Sequence, residues 1–568
     1  MAADLNRLNI PLRPMAFLTD QNGEVSVEGM VVVRQDATAR SLADLTDRRI
    51  LLGPPEADEK YGSALALLEA FAIPAPSQAS SSPSCASAAL AVVEGDADAA
   101  VISSYAMPLV EGCGTIDHGT LRVLIRTDPV PFITVFAVDL DTQEREAVHE
   151  AFTRLKERPQ VLAALKSRDG FIGTAYYDAP VAARRWTDWR GEKRLGVSPH
   201  VPARLPSQTR VLWSRTLTGP GMSGLAAADG RLIVADKNLE QTHDVWHCLD
   251  ADTGRELWRV TWPAEGELDF TNSPRANPVI CGNDVYLLGA FGDLACVKLD
   301  SGEIVWRRNI IDDFGAPPPT WGSCSTPLVV DDLLIVNPGA SEASIVALDR
   351  RTGKEVWRSP GDGPGYGSFV LAEWNDARQI VGHDAVSLCG WNPADGRRLW
   401  RIVPEFEGDF NVPTPIAIGN TLWVSTENNG TRRFRWSPNQ PKPSLESQSD
   451  ALAPDISTPV VVGDFLLGCD GKLVCLDKNT LETCWTLEEA PLRDYAALIA
   501  GDDRALIVTQ QGVVYLIRPT RERPEILGRM TLFNDVADVD REVWSHPVLL
   551  PGRLYVRNLL GVYCFLLE

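Results

Sequence analysis

The chain has 568 residues, of which 44% are hydrophobic and 23% are charged, which is ordinary for a folded globular protein and excludes wholesale disorder. Its 76 acidic and 54 basic residues give a net charge of −22, so we expect no nucleic-acid partner. No apolar run reaches the ~18 residues of a membrane-spanning helix. The eleven cysteines include no Cys-x-x-Cys spacing, which argues against a zinc site or a disulfide framework and leaves isolated pairs such as Cys85–Cys113 open.

Residues 1–190 alternate predicted strands with predicted helices. The strands fall at 29–34, 48–53, 97–103, 121–127 and 133–139, and the helices at 60–71, 86–95 and 141–155. This alternation predicts an α/β lobe with a mainly parallel sheet that is covered by helices. Residues 191–205 are charged and contain proline, so we interpret them as a linker.

Residues 206–568 contain a tandem repeat. Its clearest copies are LDADTGRELW (249–258), KLDSGEIVW (298–306), LDRRTGKEVW (348–357), NPADGRRLW (392–400) and LDKNTLETCW (476–485). Each copy has an Asp-rich turn followed by a strand that carries Trp, and the Trp recurs roughly every 45 residues. Two earlier strands fit into each period, which gives the four antiparallel strands of a β-propeller blade.

The two ends of the repeat region complement each other. Residues 209–213 form a lone outer strand, and residues 545–568 contain three strands without a fourth. We therefore predict eight blades, the last of them built from both ends of the chain, because such closure removes exposed sheet edges.

The repeat motif resembles that of the PQQ-type β-propeller family, which includes quinoprotein dehydrogenases and BamB-like outer-membrane assembly proteins. The resemblance covers residues 206–568 and implies an eight-bladed propeller. The Trp motif is specific for the fold and does not specify a cofactor.

The N-terminal part resembles PhnD-like solute-binding proteins of phosphonate ABC importers, which have the type-2 periplasmic binding fold. The matching stretches are 29–62, 89–105 and GFIG at 170–173. In that family the first stretch leads into the second lobe, so we expect this domain to be partial. Either the true start lies upstream, with an export signal, or the domain is reduced. The anion-binding loop of the family corresponds to GPPEADEKYG here, whose acids would repel phosphonate.

Two sets of side chains are candidate sites. In the lobe, Ser103, Ser104 and Tyr105 follow a predicted strand at the end where α/β sheets bind ligands, although a plain turn explains them equally well. In the propeller, the loops before the innermost strands converge at the axis, and five polar or aromatic residues on them would form a funnel, namely Arg275, Trp321, Asp409, Asn411 and His546.

Roles in the funnel follow from side-chain chemistry. Arg275 could pair with a carboxylate, Trp321 could stack on a planar ring, and Asp409 could be the general base that removes a proton from an alcohol. Alternatively, these side chains only bind neighbouring loops, as in any propeller. His243 and His247 share a strand face without a third ligand, so we expect no metal there.

A quinone cofactor stays an open alternative. Quinoprotein alcohol dehydrogenases typically carry two adjacent cysteines beside PQQ, whereas Cys324 stands alone here. No Ca²⁺ motif and no Cys-x-x-Cys-His haem site is recognisable. We assign no cofactor, with PQQ and Ca²⁺ as the alternative.

The sequence favours a non-catalytic binding or scaffolding protein. The acidic propeller would offer a docking surface for a protein or a saccharide, and the lobe would bind a small solute or a transport partner. The alternative is a PQQ-dependent dehydrogenase that oxidises an alcohol or sugar at the propeller axis. The resemblances imply the periplasm or cell envelope, although the first residues lack the apolar core of a signal peptide.

Overall fold

The computed structural model describes residues 13–74, 81–137, 141–173, 175–374, 377–437, 440–533 and 541–568. No helix in these ranges has the length and apolar character that crossing a bilayer requires.

The lobe combines short strands with short helices. Its strands are β1 Arg13–Leu18, β2 Ser26–Val27, β3 Gly29–Arg34, β4 Ile50–Leu51, β5 Ala99–Ser103, β6 Leu121–Arg126, β7 Val130–Pro131, β8 Ile133–Ala137 and β9 Phe171–Ile172. Its α-helices are α1 Gly62–Ala70, α2 Cys85–Glu94, α3 Met107–Gly112, α4 Thr142–Arg154, α5 Pro159–Leu165 and α6 Ala175–Asp178. Every predicted strand and helix of this region has a counterpart among them, and α2 ends at Gly95 in the left-handed conformation, as its sequence predicts.

The main sheet of the lobe is mixed, and the prediction of a mainly parallel sheet is wrong. Its strand order is β4-β5-β3-β6. Only β4 and β5 are parallel, whereas β3 runs antiparallel to both of its neighbours. Alternating strands and helices predict crossover connections, but they do not fix the position in the sheet of β3, the first strand that the sequence predicts. Here β3 lies between two later strands that run the other way.

Residues 210–566 form four-stranded antiparallel sheets. The outer strand β10 Arg210–Thr216 comes first, and seven sheets called blades 1 to 7 follow in chain order. Blade 1 is β11 Ala226–Ala228, β12 Arg231–Lys237, β13 His243–Asp250 and β14 Glu256–Pro263; blade 2 is β15 Val279–Cys281, β16 Asp284–Leu288, β17 Asp293–Lys298 and β18 Ile304–Asn309; blade 3 is β19 Leu328–Val330, β20 Leu333–Val336, β21 Ile345–Asp349 and β22 Glu355–Ser359; blade 4 is β23 Val370–Trp374, β24 Ala377–His383, β25 Leu388–Trp391 and β26 Arg398–Ile402.

The second half continues the same pattern. Blade 5 is β27 Ile416–Ile418, β28 Thr421–Thr426, β29 Gly430–Arg435 and β30 Ser444–Ser449; blade 6 is β31 Val460–Val462, β32 Phe465–Cys469, β33 Leu473–Asp477 and β34 Thr483–Leu487; blade 7 is β35 Ala496–Ala500, β36 Ala505–Thr509, β37 Val513–Pro519 and β38 Pro524–Thr531. One short helix, α7 Ile310–Phe314, follows blade 2. Single 3₁₀ turns lie at Leu42–Leu45, Asp58–Lys60, Leu155–Glu157, Val181–Ala183, Glu192–Arg194 and Ala490–Leu492.

The last sheet joins both ends of the repeat region. It consists of β39 Val548–Leu550, β40 Arg553–Arg557 and β41 Gly561–Leu566, with β10 as its outer strand, and we call it the closing blade. Trp213 on β10 pairs with Cys564 on β41. This pairing is the one that the sequence predicts.

Tryptophans connect successive blades, and of the six that donate hydrogen bonds to the next blade five lie on outer strands and Trp423 lies on β28. The indole N–H of six tryptophans donates to a backbone carbonyl of the next blade, in the pairs Trp213–Ala251, Trp258–Leu299, Trp306–Arg350, Trp357–Pro393, Trp423–Lys478 and Trp485–Thr520. Blades 4 and 5 meet through Trp400 and Trp436, and blade 7 meets the closing blade through Phe533 and Tyr563. The sheets therefore contact one another in sequence around a ring.

The repeated turn glycine makes room for these tryptophans. Gly254 has a φ of +71°, which L side chains rarely adopt, and a Cβ at this position would lie 2.4 Å from the ring of Trp213. Gly302, Gly353 and Gly396 meet the preceding tryptophan in the same way. The Gly and the Trp of the motif are thus two parts of one contact between adjacent blades.

The lobe packs on the closing blade. The carboxylate of Asp128 accepts hydrogen bonds from the backbone N–H (2.6 Å) and the hydroxyl (2.8 Å) of Thr216 on β10. Burial raises the pKa of Asp128, and these bonds oppose that rise. Near the C-terminus, Glu568 accepts the backbone N–H of Gly173 at 3.1 Å.

Candidate functional site

A segment that follows the lobe crosses the centre of the propeller. We call residues 186–198 the axial segment. It contacts the innermost strands, or the residues just before them, of all eight sheets, at Ala227, Ile280, Thr326, Phe369, Thr414, Pro459, Ala500 and His546. It therefore closes the central channel from within. The axial segment includes residues 191–198 of the stretch 191–205 that was predicted as a linker.

Two buried arginines anchor the axial segment. The guanidinium of Arg194, in a side chain only 1% exposed, donates to the carbonyls of Thr326, Pro327 and Phe369 and pairs with both oxygens of Asp188. Arg190 is equally buried and donates to the carbonyl of Pro459 at 2.6 Å. Burial lowers the pKa of Arg190 to about 9. These guanidinium groups donate hydrogen bonds to carbonyls that lie just before or at the start of innermost strands.

Above the axial segment lies a cavity of about 450 Å³. Trp189 of the axial segment lies on its inner side, and six further aromatic rings line it, those of Phe270, Trp321, Tyr366, Phe410, Tyr495 and Trp544. The carboxylates that line the cavity belong to Glu427 and Asp455. Cys324 also lines it, and burial raises the pKa of its thiol to about 11, so the thiol is protonated near neutral pH.

The structure brings three of the five predicted funnel residues together, namely Arg275, Trp321 and His546. Arg275 donates to the carbonyls of Trp321, Asp269 and Thr271, so its guanidinium is held by backbone oxygens instead of a carboxylate. Burial lowers the pKa of His546 to about 3, and its ring is therefore neutral at physiological pH.

The two other predicted residues, Asp409 and Asn411, are not among the residues that line the cavity. Asp409 accepts hydrogen bonds from the backbone N–H of Asn428 (2.8 Å) and the side-chain amide of Asn429 (2.6 Å). Asn411 adopts a φ of +52° and donates to the carbonyl of Asp384 at 3.2 Å. Both side chains brace neighbouring loops, which is the alternative that the sequence left open.

A belt of hydrogen bonds that the sequence analysis missed connects blades 2 to 6 beside the cavity. The backbone N–H of Asn277 donates to the hydroxyl of Thr326, that of Thr326 to Ser368, that of Ser368 to Thr414, and that of Thr414 to Thr458. Each donor belongs to one blade and each acceptor to the next. The recurring Asn/Thr-Pro at the start of the innermost strands is the sequence signal of this belt, because a polar side chain is needed there in blade after blade.

In the lobe, one of the three predicted ligand residues, Ser103, binds a carboxylate of the same chain. Ser103 is fully buried, and its hydroxyl donates to Glu59. Ser104 accepts the backbone N–H of Glu28 at 3.3 Å, and Tyr105 is 52% exposed. The position beside Ser103 where a ligand oxygen would bind is therefore occupied by Glu59. Cys85 and Cys113 are both free thiols.

The predicted histidine pair has a structural role. His247 lies in blade 1 between Glu256 (2.7 Å) and Asp236 (3.4 Å), while the ring of His243 contacts the hydroxyl of Thr242 at 2.9 Å. Within the described residues, no group of three or more His, Cys, Asp and Glu side chains is placed to hold a metal ion.

The cavity does not fit PQQ, which is a planar quinone with three carboxylates. Arg275 is the one cation among the residues that line it, and three backbone carbonyls already accept from its guanidinium. Glu427 and Asp455 would face the remaining carboxylates of the cofactor as like charges. The aromatic rings could stack on the quinone, but the charges of the site oppose it.

Comparison with known proteins matches two parts of the chain. Residues 241–487 match the family model described as outer membrane protein assembly factor BamB, and residues 2–178 match that of the periplasmic substrate-binding protein of phosphonate ABC transporters. A curated relative, BamB of Burkholderia pseudomallei, is 25% identical over 199 residues, which are 33% of this chain. The chain spans only 45% of that relative.

Several solved structures are similar to parts of this chain at low sequence identity. BamB from Moraxella catarrhalis is 18% identical and covers 61% of this chain and 84% of its own, with a TM-score of 0.32. A europium-containing methanol dehydrogenase is 10% identical (68% and 98% covered, TM-score 0.49). Quinohemoprotein alcohol dehydrogenase from Comamonas testosteroni is 13% identical (68% and 80% covered, TM-score 0.40).

The chain thus combines a lobe that matches the phosphonate-binding family model over residues 2–178 with a repeat region that matches the BamB family model over residues 241–487. The two family matches support a binding or scaffolding role in general, and both families are associated with the cell envelope.

Proposed function

We propose that this protein is a non-catalytic binding and scaffolding protein of the cell envelope. In this proposal the propeller is the docking body for a protein or a saccharide, and the lobe is fixed to it by the axial segment and by the contact of Asp128 with β10. The net charge of −22 favours partners that are neutral or cationic over anionic ones.

The observation that carries the proposal is the chemistry of the axial cavity. A quinoprotein dehydrogenase needs a base beside a cofactor that cations hold. Asp409, the candidate base, is bound to Asn428 and Asn429 away from the cavity lining, and Arg275 is bound to carbonyls. This arrangement supports binding of a ligand and not its oxidation.

The contacts of Glu59 support a restricted role for the lobe. Because its carboxylate already accepts from Ser103 and lies 4.0 Å from the ammonium of Lys60, an anionic solute would have to displace it. We therefore propose that the lobe takes an uncharged solute or a transport partner and does not take phosphonate.

The test is a titration of the purified full chain with PQQ, with and without Ca²⁺, followed by thermal shift and by a dye-linked assay with ethanol and glucose. A one-site ligand at 100 times its Kd would add about 2.7 kcal/mol to the free energy of unfolding. We expect no shift and no dye reduction. Saturable PQQ binding with alcohol-dependent dye reduction, both lost in Trp321→Ala, would overturn the proposal in favour of a dehydrogenase.

A further inference from the structure

Aromatic side chains line the axial cavity in two clusters. The first lies on the loops that lead into blades 3, 4 and 5, where the ring of Phe410 contacts those of Trp321 and Tyr366 at centroid distances of 6.2 and 6.4 Å. We call these three residues the Trp321 cluster. All of them are partly exposed, so their rings are accessible to a ligand in the cavity.

The second cluster lies across the cavity from the first. Trp544, just before the closing blade, contacts Phe270, on the loop into blade 2, and Tyr495, just before blade 7, at centroid distances of 5.5 and 6.1 Å. In a ring of eight sheets, blade 7 and the closing blade lie opposite blades 3 and 4. With Trp189 on the inner side, a ligand in the cavity has aromatic rings on two opposite sides and beneath it.

Three hydrogen-bond donors of the lining are already used within the protein. The indole N–H of Trp189 donates to the hydroxyl of Thr414 at 2.9 Å, and that of Trp544 donates to the carboxylate of Glu542 at 2.8 Å. The thiol of Cys324 donates to backbone carbonyls. Because an anion binds through donors of this kind, these groups do not favour an anionic ligand.

The charged side chains of the lining have an excess of negative charge. The carboxylate of Glu427 accepts the backbone N–H of Phe410 at 3.2 Å, which holds it beside the Trp321 cluster, and that of Asp455 accepts the backbone N–H of Ile456 at 2.7 Å. Both keep further lone pairs. The guanidinium of Arg275 donates to three backbone carbonyls. Two negative charges against one positive charge leave the lining at −1, which favours a cation.

The arginines of the axial segment are bound below the cavity and do not line it. Arg194 pairs with Asp188 at 2.8 Å, and Arg190 donates to the carbonyl of Pro459 at 2.6 Å. The ring of His546 does line the cavity, but it is neutral at physiological pH because burial lowers its pKa to about 3. The net charge of −22 on the whole chain also attracts cations.

We propose that the axial cavity binds a small organic cation whose charged nitrogen carries alkyl groups. A cation within about 6 Å of a ring centroid is attracted by the negative face of the ring, and Glu427 and Asp455 add opposite charge. A fully alkylated nitrogen has no N–H groups that the lining must satisfy, whereas a primary ammonium has three. The volume of about 450 Å³ lies in the range of about 300–1,000 Å³ usual for small-molecule sites. This inference rests on the proposed binding function and names a ligand class for it.

The experiment is isothermal titration calorimetry of the intact chain with choline and benzyltrimethylammonium. The matched control ligand is 3,3-dimethylbutan-1-ol, which has the shape of choline with carbon in place of the charged nitrogen. Ethanolamine, maltotriose, sodium sulfate and PQQ are titrated in parallel, and tryptophan fluorescence gives a second readout. We expect saturable binding of both alkylated cations, binding of the neutral alcohol and of ethanolamine at least tenfold weaker, and none of the others.

Two variants locate the site. Glu427→Gln keeps an oxygen for the N–H of Phe410 and removes the charge, so choline affinity should fall about fivefold while affinity for the neutral alcohol stays the same. Trp321→Leu keeps an apolar side chain but removes the aromatic face, and should weaken benzyltrimethylammonium binding about tenfold. Glu482→Gln, the same chemical change at an exposed turn of blade 6, is the control and should bind as the wild type does.

A lipid headgroup is a second source of the same chemistry, and co-sedimentation with phosphatidylcholine vesicles tests for it. We expect the chain to bind free choline and to stay in the supernatant. Co-sedimentation without binding of free choline would overturn the assignment of a small soluble cation.

The remaining outcomes separate this inference from the proposed function. If neither the cations nor PQQ bind, the cation assignment is wrong while a binding function with another ligand stands. Equal affinity for choline and the neutral alcohol, or for choline and ethanolamine, would also overturn the assignment, as would binding that Glu427→Gln and Trp321→Leu leave unchanged. PQQ binding with alcohol-dependent dye reduction would overturn the proposed function itself.

Discussion

Replacing Arg194 by methionine should destabilise the propeller strongly. The change keeps an apolar stem of similar length but removes a guanidinium that is bound to Thr326, Pro327 and Phe369 at 3.1, 2.6 and 2.8 Å. It also leaves the carboxylate of Asp188, whose pKa burial already raises, without its cation. Removing one partner of a buried ion pair costs about 3–5 kcal/mol, and we expect a loss of that size in the free energy of unfolding.

The assay is urea unfolding of the full chain, followed by tryptophan fluorescence. The double variant Arg194→Met/Asp188→Asn should recover about 1 kcal/mol or more, because it leaves no uncompensated charge. The control is Arg185→Met, which breaks an exposed pair with Asp229 (3.4 Å) and should change stability by about 1 kcal/mol or less. If Arg194→Met costs no more than this control, the axial segment does not hold the blades together in the way described.

Two further predictions concern His247 in blade 1 and the contact of blade 1 with Trp213 of the closing blade. Burial disfavours the charged form of His247, but its hydrogen bonds to Asp236 and Glu256 outweigh this and raise its pKa above 6.5. The stability that protonated His247 contributes is therefore complete below about pH 6.5 and is lost as pH rises through the raised pKa. The amount by which His247→Gln lowers the urea midpoint should therefore shrink from pH 6 to pH 9. A difference between variant and wild type that stays constant over this range would contradict the prediction. Trp213→Ala empties a fully buried site against Gly254 and should lower the free energy of unfolding by about 3–5 kcal/mol in the same assay. A loss below about 1 kcal/mol would show that the ring of blades does not depend on this contact.

The propeller could be predicted from sequence because its contacts repeat. In four cases the Trp of one blade contacts the turn Gly of the following blade, so the pattern recurs in the sequence at the interval at which it recurs in space. The pairing of β10 with β41 followed from counting strands. In the lobe, the same counting predicted the elements but not the position of β3, which depends on contacts between strands far apart in the chain.

The candidate site could be predicted only in part. Arg275 and His546 lie on loops that must converge in any propeller, and they reach the cavity. Asp409 lies on such a loop too, but its partner Asn429 is twenty residues away and cannot be anticipated from local sequence. Arg190 and Arg194 were least predictable, because charged residues near proline are typical of exposed linkers, whereas here they donate to four carbonyl groups from three blades.

The closing blade sets the order of events during synthesis. Trp213 pairs with Cys564, 564 − 213 = 351 residues later, so at about 5–20 residues per second the ribosome needs roughly 20–70 s to deliver the partner of β10. During that interval β10 is an unpaired edge that invites wrong strand partners. The lobe has already emerged by then, but its Asp128 and Pro129 accept the N–H groups of Thr216 and Ser214, whereas the N–H of Leu217 points to the opposite side and donates to Leu560. The lobe therefore covers one edge of β10, and the edge that pairs with β41 stays open until the last strands arrive.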